Sequence, residues 1–419
     1  MNLKNVEIVI GANFGDEGKG QVTDYIASQY KYPKIVVLHN GGSQRAHTVQ
    51  ISKEGARHIH RHIGSGLRAG AATFIAKDFI VNPIIFLQEI RELEKLGFHK
   101  EILPKIFMDS SCRFTTPFDM IVNQAREIDR NKGKHGSCGL GIFETVARYN
   151  LGDVKIKEGT VAPFCLSVGV FNHLSTLDKI NFLHALKNFY TDKRINNVKI
   201  TNFDISLEKL LSSESMITNF VQDFEQMMSY VNIVNGAEIL TTFETVIFEN
   251  GQGLLLDQNN KKYFPYLTPS NTGLTNPMAI LNEIGYTGFV TANYVSRTYV
   301  TRHGAGLFPG ECQKSKINAT MVDKTNVKNM WQDDLRYGKI DAKRFKEHII
   351  EDITTHSAGQ IIVKPQLYIT HCNEYDYWES SLGKSNIHEE IPTQLSFGPA
   401  RYDGWATPFG VLEARGLDF

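Results

Sequence analysis

The first strand and the turn after it place the strongest constraint on what this chain can fold into. Residues 5–20 read Asn-Val-Glu-Ile-Val-Ile-Gly-Ala-Asn-Phe-Gly-Asp-Glu-Gly-Lys-Gly. The apolar residues Val6, Ile8 and Ile10 are typical of a strand inside a sheet, and the glycines that follow let backbone amides approach an anion at the start of the next helix. Lys19 adds a positive charge. The segment therefore predicts a strand-turn-helix unit that binds phosphate.

This turn matches neither of two common nucleotide motifs. A Walker A loop has four residues between its first glycine and Gly-Lys-Ser/Thr, and here Asn13 and Gly20 occupy the deciding positions. The spacing is not Gly-x-Gly-x-x-Gly either. The glycines alone are equally compatible with an ordinary strand-to-helix turn, but Asp16, Glu17 and Lys19 in this order favour a functional turn.

The overall composition excludes several classes of protein. Lysine plus arginine equal aspartate plus glutamate at 45 each, so no global field attracts nucleic acid or an anionic membrane. The 419 residues, 42% of them hydrophobic, suffice for a large core in either one elaborated α/β domain or two domains. The start of the chain has no signal-peptide pattern, and no apolar run is long enough to span a bilayer. We expect a cytoplasmic protein.

The cysteines support the same compartment. They are widely spaced, odd in number and contain no Cys-x-x-Cys pair, which is typical of free thiols rather than of disulfides or a zinc site. They are Cys112, Cys138, Cys165, Cys312 and Cys372.

The first hundred residues predict alternating strands and helices. A helix is expected over 21–29 and a second buried strand over 34–39, which gives a βαβ start and a parallel sheet. Residues 82–97 predict an amphipathic helix with Pro83 in its first turn. Residues 155–240 have helix-like periodicity and no evident chemistry, so we expect a helical insertion or subdomain there.

The turn at 15–20, Gly-Asp-Glu-Gly-Lys-Gly, resembles the signature that opens adenylosuccinate synthetases, the ligases that join IMP and aspartate using GTP. The resemblance implies an α/β fold related to P-loop proteins, with a large, mostly parallel central sheet flanked by helices. It implies a single domain over 1–419 that carries the helical insertion. Within the turn it implies nucleotide or substrate binding by Gly15, Glu17, Gly18 and Gly20, with Asp16 and Lys19 in catalysis.

A second glycine turn follows the second strand. Residues 40–49, Asn-Gly-Gly-Ser-Gln-Arg-Ala-His-Thr-Val, resemble the family's Gly-Gly-Asn-Asn-Ala-Gly-His-Thr. Gln44 stands where the family has an asparagine that touches the nucleotide phosphate, and Ala46 replaces the glycine whose carbonyl helps to bind magnesium. A lone histidine is more often structural than catalytic, but the position of His47 after a strand end, with Thr48 beside it, favours function.

Three histidines alternate along the next predicted strand, at His58, His60 and His62. They could indicate a metal cluster. Same-face positions along one strand are too far apart to converge easily on one ion, so we favour a structural role.

Further stretches resemble segments that bind nucleotides in the family. The loop 135–142, His-Gly-Ser-Cys-Gly-Leu-Gly-Ile, is similar to the family's Gly-Thr-Thr-Gly-Arg-Gly-Ile-Gly, which wraps the IMP phosphate, although Cys138 replaces a threonine. Arg148 falls on the arginine that the family contributes across a homodimer interface. Later motifs place Gln252 at the IMP phosphoryl region and Thr268 at a nucleotide phosphate, and retain Arg302. The resemblance runs nearly end to end.

The chain departs from the family at the aspartate-binding loop. The family has Thr-Thr-Gly-Arg-x-Arg-Arg before Gly-Trp-Leu-Asp, and its arginines clamp the aspartate carboxylates. Here only Arg336 aligns, with Asp333 and Asp334 where positive charge is expected. Like charges would repel a dicarboxylate, so the sequence predicts a different amine donor unless Lys324, Lys328 or another cation substitutes.

The base-reading loop departs as well. The family's Thr-Lys-Leu-Asp appears as Thr-His-Cys-Asn over 370–373, with His371 and Asn373 in the pocket. An aspartate accepts two hydrogen bonds from guanine, whereas Asn373 offers one acceptor and one donor, which predicts poor discrimination for GTP and use of ATP. Ser396 and Gly398 lie in a segment similar to the family's Ser-Thr-Gly-Pro-x-Arg, so a base pocket is expected to remain.

The resemblance implies a ligase that forms C–N bonds in purine biosynthesis. Asp16 would remove the N1 proton of a 6-oxopurine nucleotide, and His47 would act as an acid towards the transferred phosphoryl group. Mg²⁺, held by Asp16 and Ala46, and Lys19 would neutralise phosphate charge. The implied partners are a purine nucleoside monophosphate, GTP or ATP, an amine, and a second copy of the chain.

Three alternatives stay open beside the housekeeping reaction of IMP, aspartate and GTP. A specialised relative would use another amine, another purine nucleotide or ATP. A regulator would bind nucleotides without synthesis, although it would not need an acid and a base. A general NTPase or kinase is the weakest alternative because the Walker A pattern is absent.

Overall fold

The computed structural model describes residues 2–31, 33–52, 55–155, 161–196, 200, 203–322, 334–357, 359–402 and 404–414. Strands and helices are numbered in chain order. The strands are β1 (Asn5–Gly11), β2 (Lys34–Leu38), β3 (His47–Gln50), β4 (Arg57–His60), β5 (Ala72–Ile75), β6 (Ile80–Val81), β7 (Ile106–Asp109), β8 (Arg113–Phe114), β9 (Asp153–Lys155), β10 (Val161–Pro163), β11 (Val231–Val234), β12 (Thr245–Gly253), β13 (Gly288–Arg297), β14 (Val300–Arg302), β15 (Glu311–Cys312), β16 (Arg336–Gly338), β17 (Ile361–Thr370), β18 (Thr393–Ser396) and β19 (Trp405–Ala406).

Helices surround these strands. They are α1 (Lys19–Gln29), α2 (Pro83–Lys95), α3 (Pro117–Arg130), α4 (Ile142–Asn150), α5 (Val168–His173), α6 (Thr176–Phe189), α7 (Ile205–Ser212), α8 (Glu214–Met228), α9 (Thr275–Glu283), α10 (Ala342–His356), α11 (Ser381–Lys384), α12 (Ile387–Glu390) and α13 (Pro408–Ala414). None of the helices in the described ranges is both long enough and apolar enough to cross a membrane.

Ten strands form the central sheet, in the order β11-β7-β5-β2-β12-β1-β13-β17-β18-β19. All neighbouring pairs are parallel except β18 with β19. The predicted α/β class and the large, mostly parallel sheet flanked by helices are therefore confirmed. Because parallel strands need crossover connections, helices cover both faces of the sheet.

Alternate residues of β1 supply the two apolar layers of the core. Val9 belongs to the layer that α1, α2, α3 and α8 cover. Ile8 and Ile10 belong to the opposite layer, with Leu281 from α9 and Phe345 from α10. Side chains of a strand alternate between faces, so one short apolar run joins both halves of the core. This explains why the first strand lies in the middle of the sheet.

The predicted helical insertion packs on the same sheet. Helices α5 to α8 contribute buried residues such as Phe171, Leu183 and Phe224 to the first apolar layer, and β11 at the end of that stretch pairs with β7 at the sheet edge. The described part of this stretch contains four α-helices and the strands β10 and β11. The sequence alone did not show that these helices pack on the central sheet, because it does not reveal which apolar faces meet.

Buried amides and an imidazole join the ends of β2 and β12. The Nε2 atom of His39 lies 2.8 Å from Oδ1 of Asn250, and Asn250 itself donates to the Thr272 carbonyl. Asn40 Nδ2 donates to the Gly251 carbonyl at 3.0 Å, and Gly251 N donates back to Asn40 Oδ1. Burial lowers the pKa of His39 to about 4.

This buried imidazole predicts a stability loss on acidification. The unfolded chain protonates His39 near pH 6.5 and the folded chain near pH 4, so the unfolded state binds more protons between these values and stability falls as the pH is lowered. We expect protonation of His39 to lower the free energy of unfolding by up to about 3 kcal/mol over this pH range. Thermal-unfolding midpoints measured from pH 7 downwards should fall less steeply for His39→Gln than for the unchanged protein. Equal slopes would contradict this assignment.

Candidate functional site

Most of the predicted site residues meet in one cleft at the carboxyl ends of the parallel strands. The cleft has a volume of about 1090 Å³. It is the place where α/β sheets commonly bind ligands, because strand ends and helix N-termini converge there. The predicted residues that line it are Gly15, Asp16, Glu17, Gly18, Lys19, Gly20, Gln44, Ala46, His47, Thr48, Cys138, Gln252, Thr268, His371, Asn373 and Gly398.

A buried ion pair shapes the turn after β1. The Nζ atom of Lys19 lies 2.7 Å from Oε2 of Glu17, and both side chains are 3% exposed. The other carboxylate oxygen of Glu17 accepts from the backbone N–H groups of Asn13 and Gly15. A Cβ atom on Gly11 would lie 2.5 Å from Glu17 and 2.7 Å from Lys19, so a glycine is required there. Glu17 holds the turn in shape, and its charge balances that of Lys19.

Asp16 presents its carboxylate to the cleft from a strained backbone. Its φ angle is +61°, a left-handed conformation that is uncommon for a residue with a side chain and that concentrates at functional sites. The Arg297 guanidinium donates to the Asp16 carbonyl at 2.6 Å, which helps to hold this conformation. The Oδ2 atom of Asp16 lies 3.3 Å from Nε2 of His303, and the Asp16 side chain is 28% exposed.

His47 is fixed from behind by a buried carboxylate. Its Nδ1 atom lies 2.5 Å from Oε1 of Glu249 on β12. Glu249 is completely buried, and its other oxygen lies 2.8 Å from the Arg45 guanidinium and accepts from the Ser65 backbone at 3.0 Å. The Ser65 hydroxyl also donates to Glu249. Gly20 lets the strand of His47 approach α1, because a Cβ atom there would lie 2.8 Å from Cβ of His47.

This arrangement determines the protonation of the pair. Burial lowers the pKa of His47 to about 4, and the charge of Arg45 acts in the same direction. Burial alone would raise the pKa of Glu249, but the charge of Arg45 and the hydrogen bonds from His47 and Ser65 hold it well below its usual range. The free protein therefore has a neutral imidazole beside an ionised carboxylate.

Two cleft residues have oxygens without a hydrogen-bond partner in the described part of the chain. They are Oε1 of Gln44 and Oγ1 of Thr48, both buried. Unpaired buried oxygens are destabilising, so they are available for a bound group. Across the cleft, Gln252 has a φ angle of +66°, a second strained backbone position. The predicted loop residue Cys138 is also close by, and burial raises the pKa of its thiol.

The residues predicted for the base pocket lie at the end of β18 and on the loops after β17 and β18. Thr370 donates its hydroxyl to the Glu17 carbonyl at 2.7 Å, which ties this loop to the first turn. Gln21 of α1 donates to the Gly398 carbonyl at 2.7 Å and to Ser396 Oγ at 3.2 Å. Ser396 is buried behind the cleft rather than in its lining, so it supports Gly398.

Two predicted arginines lie beside the cleft and bind other parts of the protein. Arg302 is buried, donates to the Leu307 and Tyr266 carbonyls, and stacks 4.5 Å from the Phe14 ring. Burial lowers its pKa to about 10. Arg336 forms two hydrogen bonds to Glu311 at 2.8 and 2.6 Å. It also donates to the carbonyls of Gly304 and Gly306, at 3.0 Å each. Neither residue lines the cleft.

The departures in the aspartate loop are only partly described. Asp334 lies at the start of a described segment and is exposed. Asp333, Lys324 and Lys328 lie outside the described residues.

Arg148 corrects a prediction. It was expected to reach a partner subunit, but its side chain is fully buried and pairs with Asp119 through two hydrogen bonds of 3.0 Å. It also donates to the Phe164 and Phe114 carbonyls at 2.6 and 2.7 Å. Asp119 lies in the first turn of α3 and forms a capping box with Thr116. Four of the five N–H groups are thereby used inside the subunit, so this conformation cannot reach across an interface.

Two residues that the sequence did not single out contribute to the site. Glu249 stands shortly before Gln252 in the sequence, so a carboxylate next to a predicted site residue was an available signal. His303 lies within a glycine-containing turn between Arg302 and Gly304. No spacing rule connects it with Asp16, about 290 residues earlier.

The burial of Arg148 generates a test of its role. Arg148→Met leaves the Asp119 carboxylate buried without its cation, which typically costs about 3–5 kcal/mol. We expect a large fall in the free energy of unfolding, measured by urea denaturation. Arg126→Met is a matched control. Arg126 pairs with Glu144, and Glu144 keeps Arg194 as a second partner, so this variant should lose much less unfolding free energy. A variant with normal stability and weaker nucleotide affinity would restore the interface role.

Comparisons with known proteins agree with the fold and with the motifs. A family model described as adenylosuccinate synthetase matches residues 8–379. The adenylosuccinate synthetase of Photobacterium profundum is 28% identical over 313 residues, which are 74% of this chain and 65% of that protein. The one from Wigglesworthia glossinidia brevipalpis is 31% identical over 320 residues, with the same shares. The match thus spans about 65% of the length of these curated relatives.

Solved structures share the architecture at low identity. The fully ligated adenylosuccinate synthetase from Plasmodium falciparum superposes with a TM-score of 0.66 and 16% identity, covering 96% of this chain and 99% of that one. The succinoaminodeoxyadenylate synthetase of cyanophage S-2L, bound to dGMP and to dATP as an energy donor, has a TM-score of 0.62 and 15% identity and covers 99% of both chains. Because the family model extends from the first strand beyond the Asn373 loop, the chain belongs to the adenylosuccinate synthetase family.

Proposed function

We propose that the protein is a nucleoside-triphosphate-dependent ligase that forms a C–N bond on a 6-oxopurine nucleotide. The observation that carries the proposal is the meeting of Asp16 and His47, from different turns, in one cleft beside a phosphate-binding type of turn. The family membership supports the same reaction class. A protein that only binds nucleotides has no need for this pairing of an acid and a base.

The proposed reaction has two steps. Asp16 takes the N1 proton of the 6-oxopurine, and O6 attacks the γ-phosphorus of the triphosphate, which releases a nucleoside diphosphate. An amine then attacks C6 and displaces inorganic phosphate. The strained backbone of Asp16 and its contact with His303 fix the carboxylate before the purine arrives, which is the positioning that such a base requires.

His47 stabilises the transferred phosphoryl group in this scheme. Nδ1–H donates a hydrogen bond to Glu249, which orients the ring and leaves Nε2 as the nitrogen available to incoming groups. The imidazole is neutral in the free protein because its pKa is about 4. An anionic phosphoryl group beside Nε2 raises that pKa and favours the protonated, hydrogen-bond-donating form. Protonation is thus coupled to substrate binding.

The cleft residues fit a magnesium ion. Mg²⁺ prefers hard oxygen ligands and keeps several waters, and the cleft offers the Asp16 carboxylate, the main chain of Ala46 and the unpartnered Oε1 of Gln44. The ion would supply charge neutralisation for the phosphate oxygens. Lys19 assists once a phosphate competes with Glu17 for its ammonium group.

The altered loops favour a specialised reaction over the one that uses IMP, aspartate and GTP. Arg336 is neutralised by Glu311 and points to carbonyls outside the cleft, so it does not serve as a clamp for a dicarboxylate. Asn373 replaces the aspartate expected for guanine reading. A neighbour of the same fold is described with dATP as its energy donor, which supports ATP use here. We propose a homodimer on the family resemblance alone.

Phosphate release tests the proposed reaction. The purified protein is mixed with Mg²⁺, ATP or GTP, and IMP or dGMP, with aspartate and then with a panel of other amines. We expect release that requires a 6-oxopurine nucleotide and an amine together. Asp16→Asn and His47→Asn should each reduce it by roughly 100-fold or more, as for general acid-base groups.

Matched exposed positions control these substitutions. Asp192→Asn and His99→Asn change the same residue types at the surface and should leave release unchanged. Nucleotide binding without phosphate release in any mixture would contradict the proposal and favour a regulator. Phosphate release that depends on IMP and aspartate would support the ligase reaction and contradict the proposal of specialised substrates.

The choice of triphosphate generates a separate prediction. Asn373→Asp restores two acceptors for the guanine N1 and N2 groups, and hydrogen bonds to a charged group contribute about 1.5–3 kcal/mol. The ratio of kcat/KM for GTP to that for ATP should therefore rise roughly tenfold or more. Steady-state kinetics with each triphosphate measure the ratio. An unchanged ratio would show that this loop does not read the base.

A further inference from the structure

A cluster of buried imidazoles and a carboxylate lies outside the cleft. His58 and His60 lie on one face of β4, and Glu89 reaches them from α2. One ligand atom from each residue lies within 4.8 Å of those of the other two, and Nε2 of His58 is 3.6 Å from Oε1 of Glu89. The side chains are buried, with His60 completely inaccessible. The strand pattern alone placed the histidines in a line and could not show that α2 supplies a third ligand.

The imidazoles of this cluster have unsatisfied nitrogens. Neither ring nitrogen of His60 has a hydrogen-bond partner in the described ranges, and neither does Nε2 of His58. Leaving a buried polar atom unpaired destabilises a fold by about 1–3 kcal/mol, so each such group calls for an ion or a water. The Nδ1 atom of His62 also lacks a hydrogen-bond partner among the described residues and lies 3.7 Å from Glu89. Its Nε2, however, accepts from the Asn82 backbone at 3.0 Å, and its ring contacts Phe79 and Phe86.

Backbone hydrogen bonds hold the Glu89 carboxylate in place, and among the described residues no lysine or arginine pairs with it. Backbone N–H groups of Arg61, His62 and Ile63 donate to its two oxygens at 3.0, 2.6 and 3.2 Å. Within the part of the chain that the structure describes, its ion-pair partners are the two histidines at 3.6 and 3.7 Å. Buried charges in proteins are paired or coordinate metals, so a metal ion beside Glu89 would supply the positive charge that its backbone donors do not.

We propose that His58, His60 and Glu89 bind a divalent transition-metal ion such as Zn²⁺. Two nitrogens and one carboxylate oxygen are a donor set that zinc accepts, with water as a fourth ligand. Mg²⁺ and Ca²⁺ prefer all-oxygen sites, and no thiolate in the group selects softer metals. Zinc bonds of about 2.0–2.2 Å require the ligand atoms to draw closer than 4.8 Å, a small closure by side-chain rotation.

The ion has a structural role in this proposal. None of the three residues lines the cleft. His60 lies directly opposite His47 in the antiparallel pair of β3 and β4, and His58 lies opposite Val49. A metal that joins β4 to α2 therefore fixes the strand partner of His47. The proposal concerns metal binding and does not depend on the reaction proposed above.

Metal content of the whole protein tests the site. Protein stripped with a chelator is equilibrated with Zn²⁺, freed of excess by gel filtration and analysed by atomic absorption. We expect one ion per chain in the unchanged protein. His58→Gln and His60→Gln should each bind zinc roughly 100-fold or more weakly, since removal of a ligand exceeds the loss known for outer-shell partners. His39→Gln, equally buried but outside the group, should retain the ion.

Cobalt provides a readout that excludes adventitious binding to thiols. Co²⁺ in the site should show visible d–d bands without sulfur-to-metal charge transfer, because no cysteine is a ligand. Zn²⁺ should also raise the unfolding temperature of the unchanged protein and not that of His60→Gln. Absence of uptake by the unchanged protein would overturn the proposal even if a variant failed to fold. Equal uptake by both histidine variants, or cobalt spectra with thiolate bands, would overturn it as well.

Discussion

The contacts of the Glu249 carboxylate are the interaction on which the site depends. This side chain is completely buried near the carboxyl end of β12, next to the central strand β1. An ion in such a place is tolerated only when its oxygens are paired. Arg45, His47 and Ser65 meet that requirement, and they come from the turn after β2, from β3 and from the segment after β4. Satisfying one charge therefore brings three separate segments into register and orients the cleft imidazole.

The glycines serve the same geometry at closer range. Gly11 leaves room for the Glu17 and Lys19 pair beside the end of β1, and Gly20 leaves room for His47 against α1. These positions were visible in the sequence because a turn between a strand and a helix restricts the residue types that it accepts. The central sheet was predictable for a related reason, since an apolar run with turn residues on both sides has few alternatives.

The roles of the arginines were not predictable in this way. Arg148 sits on an aligned position, yet it binds Asp119 and two backbone carbonyls inside its own subunit. Arg302 and Arg336 likewise satisfy carbonyls and a neighbouring glutamate. An arginine has five donors and a long side chain. Its position in the sequence therefore fixes its Cα atom but not the acceptors that its guanidinium reaches. The same limitation hid Glu249 and His303, whose partners are distant in sequence.

The hairpin of β3 and β4 shows how one buried face can serve two purposes. His47 and His60 lie opposite each other in the ladder, so their side chains share a face. His47 has an ionised partner and a route to the cleft. His60 has neither, and its buried nitrogens remain without partners among the described residues. Two imidazoles on one face of the hairpin thus differ in their neighbours and in their access to the cleft. Because hydrophobic packing would not retain unpaired nitrogens, the position of His60 beside His58 and Glu89 is best explained by an ion that completes their coordination.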